Sequence, residues 1–247
     1  MSRALVLLHG VGLDHTMWEP LRSLLPSDLS VVAPDLPGHG AYPPPHRATS
    51  LAELADAIVQ EVPPGAHLVG FSLGALIAQH LAIHRPELVG TITSVSSVCR
   101  RTPQERTAVL ARLDLARRDF PASVEASIER WYAGTGTPDE LVARTRTTLL
   151  ANDPDSFRSC YRVFATADGE LGPLLGDITA PALAVTGELD PGSTPQMAHR
   201  LADAVPDGRV VVVPGARHML PVQDPEALAS CLTDFLQEQT IGEDAHV

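Results

Sequence analysis

Short apolar runs alternate along this 247-residue chain with segments whose hydrophobic residues recur at helical spacing. The runs are rich in β-branched residues, and they are Ala4–Leu8, Ser30–Ala33, His67–Phe71, Leu88–Val95, Ala182–Thr186 and Arg209–Val213. Each run is nearly continuous in its hydrophobicity, which is typical of strands buried on both faces of a parallel sheet. The alternation therefore predicts an α/β fold, with a mostly parallel sheet of about six strands flanked by helices.

This alternation stops between about Arg100 and Gly176, where no strand-like run occurs. Amphipathic stretches take its place, at Arg106–Arg117, Ser123–Trp131, Glu140–Leu149 and Phe157–Ala165. We predict that residues 100–176 form a helical cap inserted into a core made of residues 1–99 and 177–240. The polar residues 241–247 are expected to form a frayed tail.

The charge of the chain excludes several classes of function. It has 18 basic and 30 acidic residues and a formal net charge of −12, so phosphate-rich partners such as nucleic acid and anionic membranes are not expected. Every basic residue is an arginine. Schiff-base chemistry and a Walker-type phosphate loop both need a lysine, and both are excluded.

The expected compartment is the cytoplasm. No apolar run approaches the ~20 residues that span a bilayer, and the five-residue run after Met1-Ser2-Arg3 is too short for the core of a signal peptide. The three cysteines, Cys99, Cys160 and Cys231, form no CxxC pair and are expected to be reduced thiols. Nothing in the sequence marks a subunit interface, so monomer and dimer both stay open.

The strongest local motif is Gly70-Phe71-Ser72-Leu73-Gly74, which fits G-x-S-x-G. It follows the predicted strand His67–Phe71 and precedes a segment with helical spacing, as a nucleophile elbow does. Such a turn projects the serine hydroxyl out of the sheet, and side chains at the two flanking positions would clash. Ser72 is therefore the candidate nucleophile.

A serine nucleophile needs a base, and the base needs a carboxylate that orients it. In this architecture the acid and then the histidine follow later strands. The segment after Ala182–Thr186 offers Asp190 as the preferred acid and Glu188 as the alternative. His218 follows the run Arg209–Val213 and is the candidate base.

Acyl transfer also needs two backbone N–H groups that stabilise the developing oxyanion. Leu73, directly after the nucleophile, supplies one of them, and Val11 in the loop after the first strand is the candidate for the other. His9 precedes this loop and is interpreted as a structural hydrogen-bonding group, with a catalytic role as the alternative.

Two groups of residues invite a metal-site interpretation. Asp35, His39 and His46 lie in and after a Gly-rich turn, and His80 and His84 lie four residues apart on a predicted helix. Turn hydrogen bonding explains the first group better, because its residues lack the regular close spacing of zinc ligands. The second group could also bind a metal, but with Ile77 and Leu81 beside it ordinary helix packing explains it better. We therefore expect neither a metal nor a cofactor.

Taken together, the motifs HG-x-G, D-x-x-GHG, G-x-S-x-G, G-x-x-D and a late histidine resemble those of the α/β-hydrolase superfamily over nearly the whole chain. Within it, the chain resembles the 3-oxoadipate enol-lactonase group and its carboxylesterase relatives. The stretches that carry this narrower resemblance are HGVGLDHTMW (9–18), SIERWY (127–132), LLANDPDSFRSCYRVFATAD (149–168) and ITAPALAVTGELDPGSTP (178–195). Relatives carry a strand hairpin before the first strand found here, so we expect a sheet without those edge strands.

The resemblance implies a cofactor-free serine hydrolase whose substrate is a small ester or lactone. It implies a triad of Ser72, Asp190 and His218, an oxyanion hole at Val11 and Leu73, and a substrate pocket lined by Trp131, for which packing within the cap is the alternative. An anionic lactone would need a cationic contact, for which the cap offers Arg100, Arg101, Arg130 and Arg162. General carboxylesterase, C–C bond hydrolase, thioesterase and perhydrolase activities share this triad and stay open, as does a non-catalytic small-molecule receptor.

Overall fold

The core of the protein is a parallel sheet, seen here in a computed structural model that describes residues 4–27, 29–43 and 49–244. Its strands are β1 (Leu5–Leu8), β2 (Val31–Val32), β3 (Ala66–Phe71), β4 (Val89–Val95), β5 (Ala182–Gly187) and β6 (Gly208–Val213). They pair in the order β2-β1-β3-β4-β5-β6, and every neighbouring pair is parallel. This architecture confirms the predicted α/β fold with about six strands.

The two edge strands differ from the prediction that all strands are buried on both faces. The inner strands are almost wholly buried, whereas both residues of β2 and most residues of β6 are only half-buried. An edge strand has a neighbour on one side only, so the same hydrophobic run buries less of its surface there. The run Ser30–Ala33 also forms a shorter strand than predicted, although the Leu5 N–H donates to the Ser30 carbonyl at 2.8 Å just before it.

Helices cover both faces of the sheet and fill the stretch without strands. They are α1 (Glu19–Arg22), α2 (Leu51–Ile58), α3 (Leu73–His84), α4 (Pro103–Arg118), α5 (Phe120–Tyr132), α6 (Asp139–Leu150), α7 (Pro154–Leu171), α8 (Pro195–Ala204), α9 (Leu220–Gln223) and α10 (Pro225–Asp244). Their starts follow local side-chain chemistry. Ser50 forms a capping box at the start of α2, and Thr102 forms one at the start of α4. Thr194 caps α8, which has a proline in its first turn.

The last helix is longer than the sequence pattern predicts. Helix α10 continues to Asp244 and so includes the first four residues of the predicted frayed tail, and residues 245–247 lie outside the described part of the chain. Among the residues that the structure describes, no helix combines the length and the hydrophobicity that crossing a bilayer requires.

Helices α4–α7 lie between β4 and β5 in the chain, inside the range 100–176 of the predicted cap. A buried ion pair joins the segment before α4 to α7. In it, Arg101 Nη1 donates to Asp168 Oδ1 at 2.7 Å. The Arg101 backbone N–H also donates to Asp168 Oδ2 at 2.8 Å. The cap also contacts the core, because the Asn152 side-chain amide donates to the Gly12 carbonyl at 2.8 Å. The division into core and cap domains stays a prediction.

The three cysteines are free thiols, and two of them are buried. Burial raises the pKa of the Cys99 thiol to about 11 and that of Cys160 to about 12. Both side chains therefore stay protonated near neutral pH, and they act as small hydrophobic groups.

Candidate active site

Four loops meet at the carboxyl edge of the sheet. The register pairs Leu8 with Gly70 and Phe71 with Val95, so the chain leaves β1, β3 and β4 at similar heights. On the other side, Gly187 of β5 pairs with Val213 of β6. The loops that follow β1, β3, β5 and β6 carry the candidate residues Val11, Ser72, Asp190 and His218, respectively. In parallel α/β sheets this edge is where ligands bind.

Ser72 occupies a strained turn between β3 and α3. Its φ of 53° and ψ of −106° lie in a region that non-glycine residues rarely adopt. The flanking glycines make the turn possible by their lack of a side chain. A Cβ at Gly70 would lie 2.3 Å from the Gly74 carbonyl oxygen, and a Cβ at Gly74 would lie 2.1 Å from that of Leu8. Strand, turn and helix therefore pack too closely for any other residue at these two positions.

We expect the Gly74→Ala substitution to lower the free energy of unfolding by about 3 kcal/mol, because backbone atoms of β1 would have to move. For a chain of this size the melting temperature should fall by roughly 6–12 °C. Gly176→Ala is the matched control, since a Cβ there meets no atom within 4 Å. Denaturant unfolding of both variants measures the difference, and equal stabilities would contradict this explanation of the motif.

His218 and Asp190 form a hydrogen-bonded pair beside the elbow. His218 Nδ1 lies 2.7 Å from Asp190 Oδ2, and both residues are nearly inaccessible to solvent. The other carboxylate oxygen, Oδ1, accepts the backbone N–H groups of Gly192 and Ser193 at 2.8 and 2.9 Å. With its Nδ1 proton donated to Asp190, the imidazole keeps Nε2 available as a proton acceptor.

The alternative acid, Glu188, is directed elsewhere. Its carboxylate accepts the Gly215 backbone N–H at 2.9 Å on the exposed side of the loops. Only Asp190 of the two predicted acids therefore contacts His218 among the described residues.

The candidate oxyanion donors lie on either side of Ser72. Leu73 begins α3, so its N–H is one of the first-turn donors that have no intrahelical acceptor. Val11 lies in the loop after β1 and lines a cavity together with Ser72. Within the described chain, neither backbone N–H donates to a protein acceptor. Both groups are thus available to a ligand, and the dipole of α3 favours negative charge at this position.

His9 holds the loop after β1 in place. Its Nε2 accepts the Leu36 backbone N–H at 2.9 Å, and Nδ1 lies 2.8 Å from the Gly10 carbonyl oxygen, to which it donates. Burial lowers the pKa of His9, so the ring is neutral and can make both contacts. This agrees with the interpretation of His9 as a structural residue.

Among the residues considered as metal ligands, Asp35 and His39 have other hydrogen-bond partners. Asp35 accepts the backbone N–H groups of His15 and Ala41 at 2.9 and 3.0 Å, as expected of a turn aspartate. Burial, together with the neighbouring His9, lowers the pKa of His39 to about 3. The third proposed ligand, His46, lies outside the described residues. In the described part of the chain, no group of three or more histidine, cysteine and acidic side chains could hold a metal ion.

A cavity of about 500 Å³ opens above Ser72 and His218, between the sheet and the cap. Its walls are mostly aromatic and aliphatic, and they include Trp131. The Trp131 ring stacks on the His218 imidazole, with 5.3 Å between centroids and 27° between the planes. Trp131 therefore lies where the resemblance places it, at the cavity that contains the candidate nucleophile.

Of the four arginines considered for an anionic substrate, only Arg130 lines this cavity. Arg100 donates twice to the Gly172 carbonyl, and Arg162 donates to the Thr49 carbonyl. Arg101 is engaged with Asp168, as described above.

Several residues that line the cavity were not predicted from the sequence. Phe157, Tyr161 and Phe164 line the cavity from α7, and their spacing of four and three residues is a helical stripe that could have revealed them. Arg112 of α4 also lines it, but no local pattern distinguishes this arginine from the others in its helix.

Comparison with known proteins agrees with this architecture. A sequence model described as the alpha/beta hydrolase family matches residues 5–230. The (E)-2-((N-methylformamido)methylene)succinate hydrolase of Acinetobacter baylyi is 29% identical over 245 residues, which cover 94% of this chain and 90% of that protein. The pimeloyl-[acyl-carrier protein] methyl ester esterase of Yersinia enterocolitica is 31% identical over 243 residues, with 95% and 93% covered. The crystal structure of the enol-lactonase from Burkholderia xenovorans LB400 has the same fold, with a TM-score of 0.86 at 24% identity over 96% of this chain and 92% of that one.

Proposed function

Since the chain belongs to the alpha/beta hydrolase family, we propose that it is a serine hydrolase that cleaves a small ester or lactone. Homologues with hydrolase names support the general activity. The observation that carries the serine mechanism is the geometry at the sheet edge. A strained Ser72 and a His218 that is hydrogen-bonded to buried Asp190 line one cavity.

In the proposed reaction, Ser72 Oγ attacks the substrate carbonyl carbon while His218 Nε2 takes the hydroxyl proton. Asp190 stabilises the imidazolium that forms, and the backbone N–H groups of Val11 and Leu73 stabilise the oxyanion. Collapse of the tetrahedral intermediate breaks the C–O bond, and His218 returns the proton to the leaving oxygen. His218 then removes a proton from water as the water attacks the acyl-enzyme. When the acyl–Ser72 bond breaks and the acid leaves, His218 gives this proton to Ser72 Oγ, which restores the free enzyme. When the substrate is a lactone, leaving group and acyl group stay in one molecule.

The specific substrate that we propose is an enol-lactone of the 3-oxoadipate type. The supporting observations are the resemblance of the cap stretches and the position of Trp131 in the cavity. The names of the two relatives support only the broader part of the proposal, hydrolysis of a small ester or a related substrate, since one acts on a substituted succinate and the other on a methyl ester.

The proposal predicts that kcat/KM for 3-oxoadipate enol-lactone exceeds that for p-nitrophenyl acetate by about 10³-fold or more. This ratio corresponds to a difference of roughly 4 kcal/mol in activation free energy, which we attribute to contacts with the lactone in the cavity. Initial rates on both substrates measure it, with enzyme-free hydrolysis subtracted.

A preference for the simple ester would reject the enol-lactone and leave a general carboxylesterase. Stoichiometric labelling by an organophosphate with slow turnover of every ester would indicate a receptor instead.

A further inference from the structure

Two arginines of the cap, Arg112 on α4 and Arg130 on α5, face the cavity above Ser72. We infer that they bind a carboxylate group of the substrate, so that the enzyme selects small esters or lactones that carry a free carboxylate. This inference rests on the proposed function, because that function places the scissile bond of the substrate at Ser72. It adds the two residues by which the enzyme would distinguish anionic substrates from neutral ones.

The other cap arginines are already engaged. Seven of them lie within 4 Å of a carboxylate, namely Arg101, Arg106, Arg117, Arg118, Arg144, Arg146 and Arg158. Arg112 and Arg130 have no such partner among the described residues, although the chain carries 30 acidic side chains. Although the net charge of the protein is −12, these two guanidinium groups beside the candidate nucleophile have no carboxylate counter-ion among the described residues.

Neutral partners orient the two guanidinium groups. Arg112 Nε donates to the Tyr161 hydroxyl at 3.3 Å, and Arg130 Nη2 donates to Ser127 Oγ at 3.0 Å. Arg130 Nη1 also donates to the Ala126 carbonyl at 3.2 Å. Since a guanidinium has five N–H donors, each arginine keeps several for a ligand. Planar donors of this kind match the two oxygens of a carboxylate.

The electrostatics of the site also favour an anion. Burial lowers the pKa of Arg130, and the nearby positive charge of Arg112 lowers it further. A bound carboxylate would offset the lost solvation and the repulsion between the two cations. No acidic side chain lines this cavity within the described chain, and Asp190, whose charge acts on Arg130, is paired with His218.

The two arginines also form part of the wall of a second, smaller cavity. It has a volume of about 250 Å³ and shares Arg112, Arg130 and Tyr161 with the cavity above Ser72. The carboxylate is therefore expected on the cap side of the substrate, with the reacting carbonyl on the sheet side.

Two chromogenic esters of equal length test the inference. The mono-4-nitrophenyl ester of adipic acid carries a terminal carboxylate where 4-nitrophenyl hexanoate carries a methyl group. We expect Arg112→Gln and Arg130→Gln each to lower kcat/KM for the anionic ester by about 10–100-fold, mainly through a higher KM. For the neutral ester the change should stay within about 3-fold. Arg130→Lys should give an intermediate loss, because lysine keeps the charge but lacks the planar pair of donors.

Arg117→Gln is the matched control. Arg117 lies on the same helix as Arg112, but its side chain is exposed and pairs with Asp114. This variant removes one positive charge outside the cavity and should leave the rates on both esters unchanged. Two results would overturn the inference. One is an equal loss of kcat/KM on both esters in the Arg112 and Arg130 variants, and the other is a wild type that prefers the hexanoate.

A binding measurement separates this inference from the proposed reaction. Calorimetric titration of the Ser72→Ala variant with adipate needs no turnover. We expect adipate to bind, and we expect Arg112→Gln or Arg130→Gln in the same background to weaken binding at least about 10-fold. Absence of adipate binding, or binding that is independent of both arginines, would refute carboxylate recognition. A wild-type enzyme that binds adipate through the arginines but hydrolyses no ester would instead refute the proposed function.

Discussion

Substitution of Ser72 by alanine is expected to lower kcat for every ester or lactone substrate by about 10⁴- to 10⁶-fold. The substitution removes the attacking oxygen and leaves His218 without a proton to accept. Alanine tolerates the positive φ of this position no worse than serine does, so the fold should be retained. The measurement is single-turnover and steady-state kinetics on 4-nitrophenyl esters, with circular dichroism to verify folding.

The matched control for this variant is Ser97→Ala. Ser97 is buried near the end of β4 and accepts a hydrogen bond from Gln79, but it does not line the cavity. We expect its loss to change kcat by no more than a few-fold. Organophosphate labelling adds a second readout, since the wild type and Ser97→Ala should be labelled and Ser72→Ala should not. Near-normal turnover by Ser72→Ala would exclude the serine mechanism.

The second large effect is expected at Asp190. Asparagine keeps the size of the side chain, but its amide cannot stabilise the imidazolium and favours the wrong tautomer of His218. A loss of kcat of about 10⁴-fold is the expected result. Asparagine also places an amide group near the Gly192 and Ser193 N–H donors that Asp190 Oδ1 accepts, so thermal stability should be measured beside activity.

Glu188→Gln provides the comparison for Asp190→Asn. It makes the same change from carboxylate to amide two residues away, on a side chain that contacts the Gly215 backbone and not His218. Activity within about 3-fold of the wild type is expected, since an exposed site distant from the reaction contributes little. If Glu188→Gln were the more damaging of the two, the acid of the triad would have been assigned to the wrong residue.

Local patterns in the sequence were sufficient to predict the fold. Continuous β-branched runs predicted the inner strands β1, β3, β4 and β5 to within one residue at each end. The period of hydrophobic residues is a local property, and a strand buried on both faces admits few alternatives. The same reasoning was less accurate for β2, because a strand at the sheet edge has fewer contacts to extend it.

The position of Ser72 was also predictable, because its motif has a steric cause. Gly70 and Gly74 each lie too close to neighbouring backbone to carry a Cβ, so the motif itself encodes the turn. Strand order alone reduced the candidates for the acidic residue of the triad to two, Asp190 and Glu188. The sequence favoured Asp190 over Glu188, and the structure adds the contacts of each. Asp190 is hydrogen-bonded to His218, whereas Glu188 contacts the Gly215 backbone.

The sequence by itself thus determined the parallel α/β fold, the strand-to-helix turn that carries Ser72, and the loops that follow each strand. The tertiary structure decided which cap residues face the cavity. Arg112 and Arg117 belong to the same helix, yet one lines the cavity and the other pairs with Asp114 in solvent. The physical reason is that strand and turn propensities act within a few residues, whereas the rotation of α4 and α5 over the sheet depends on packing against elements distant in the chain.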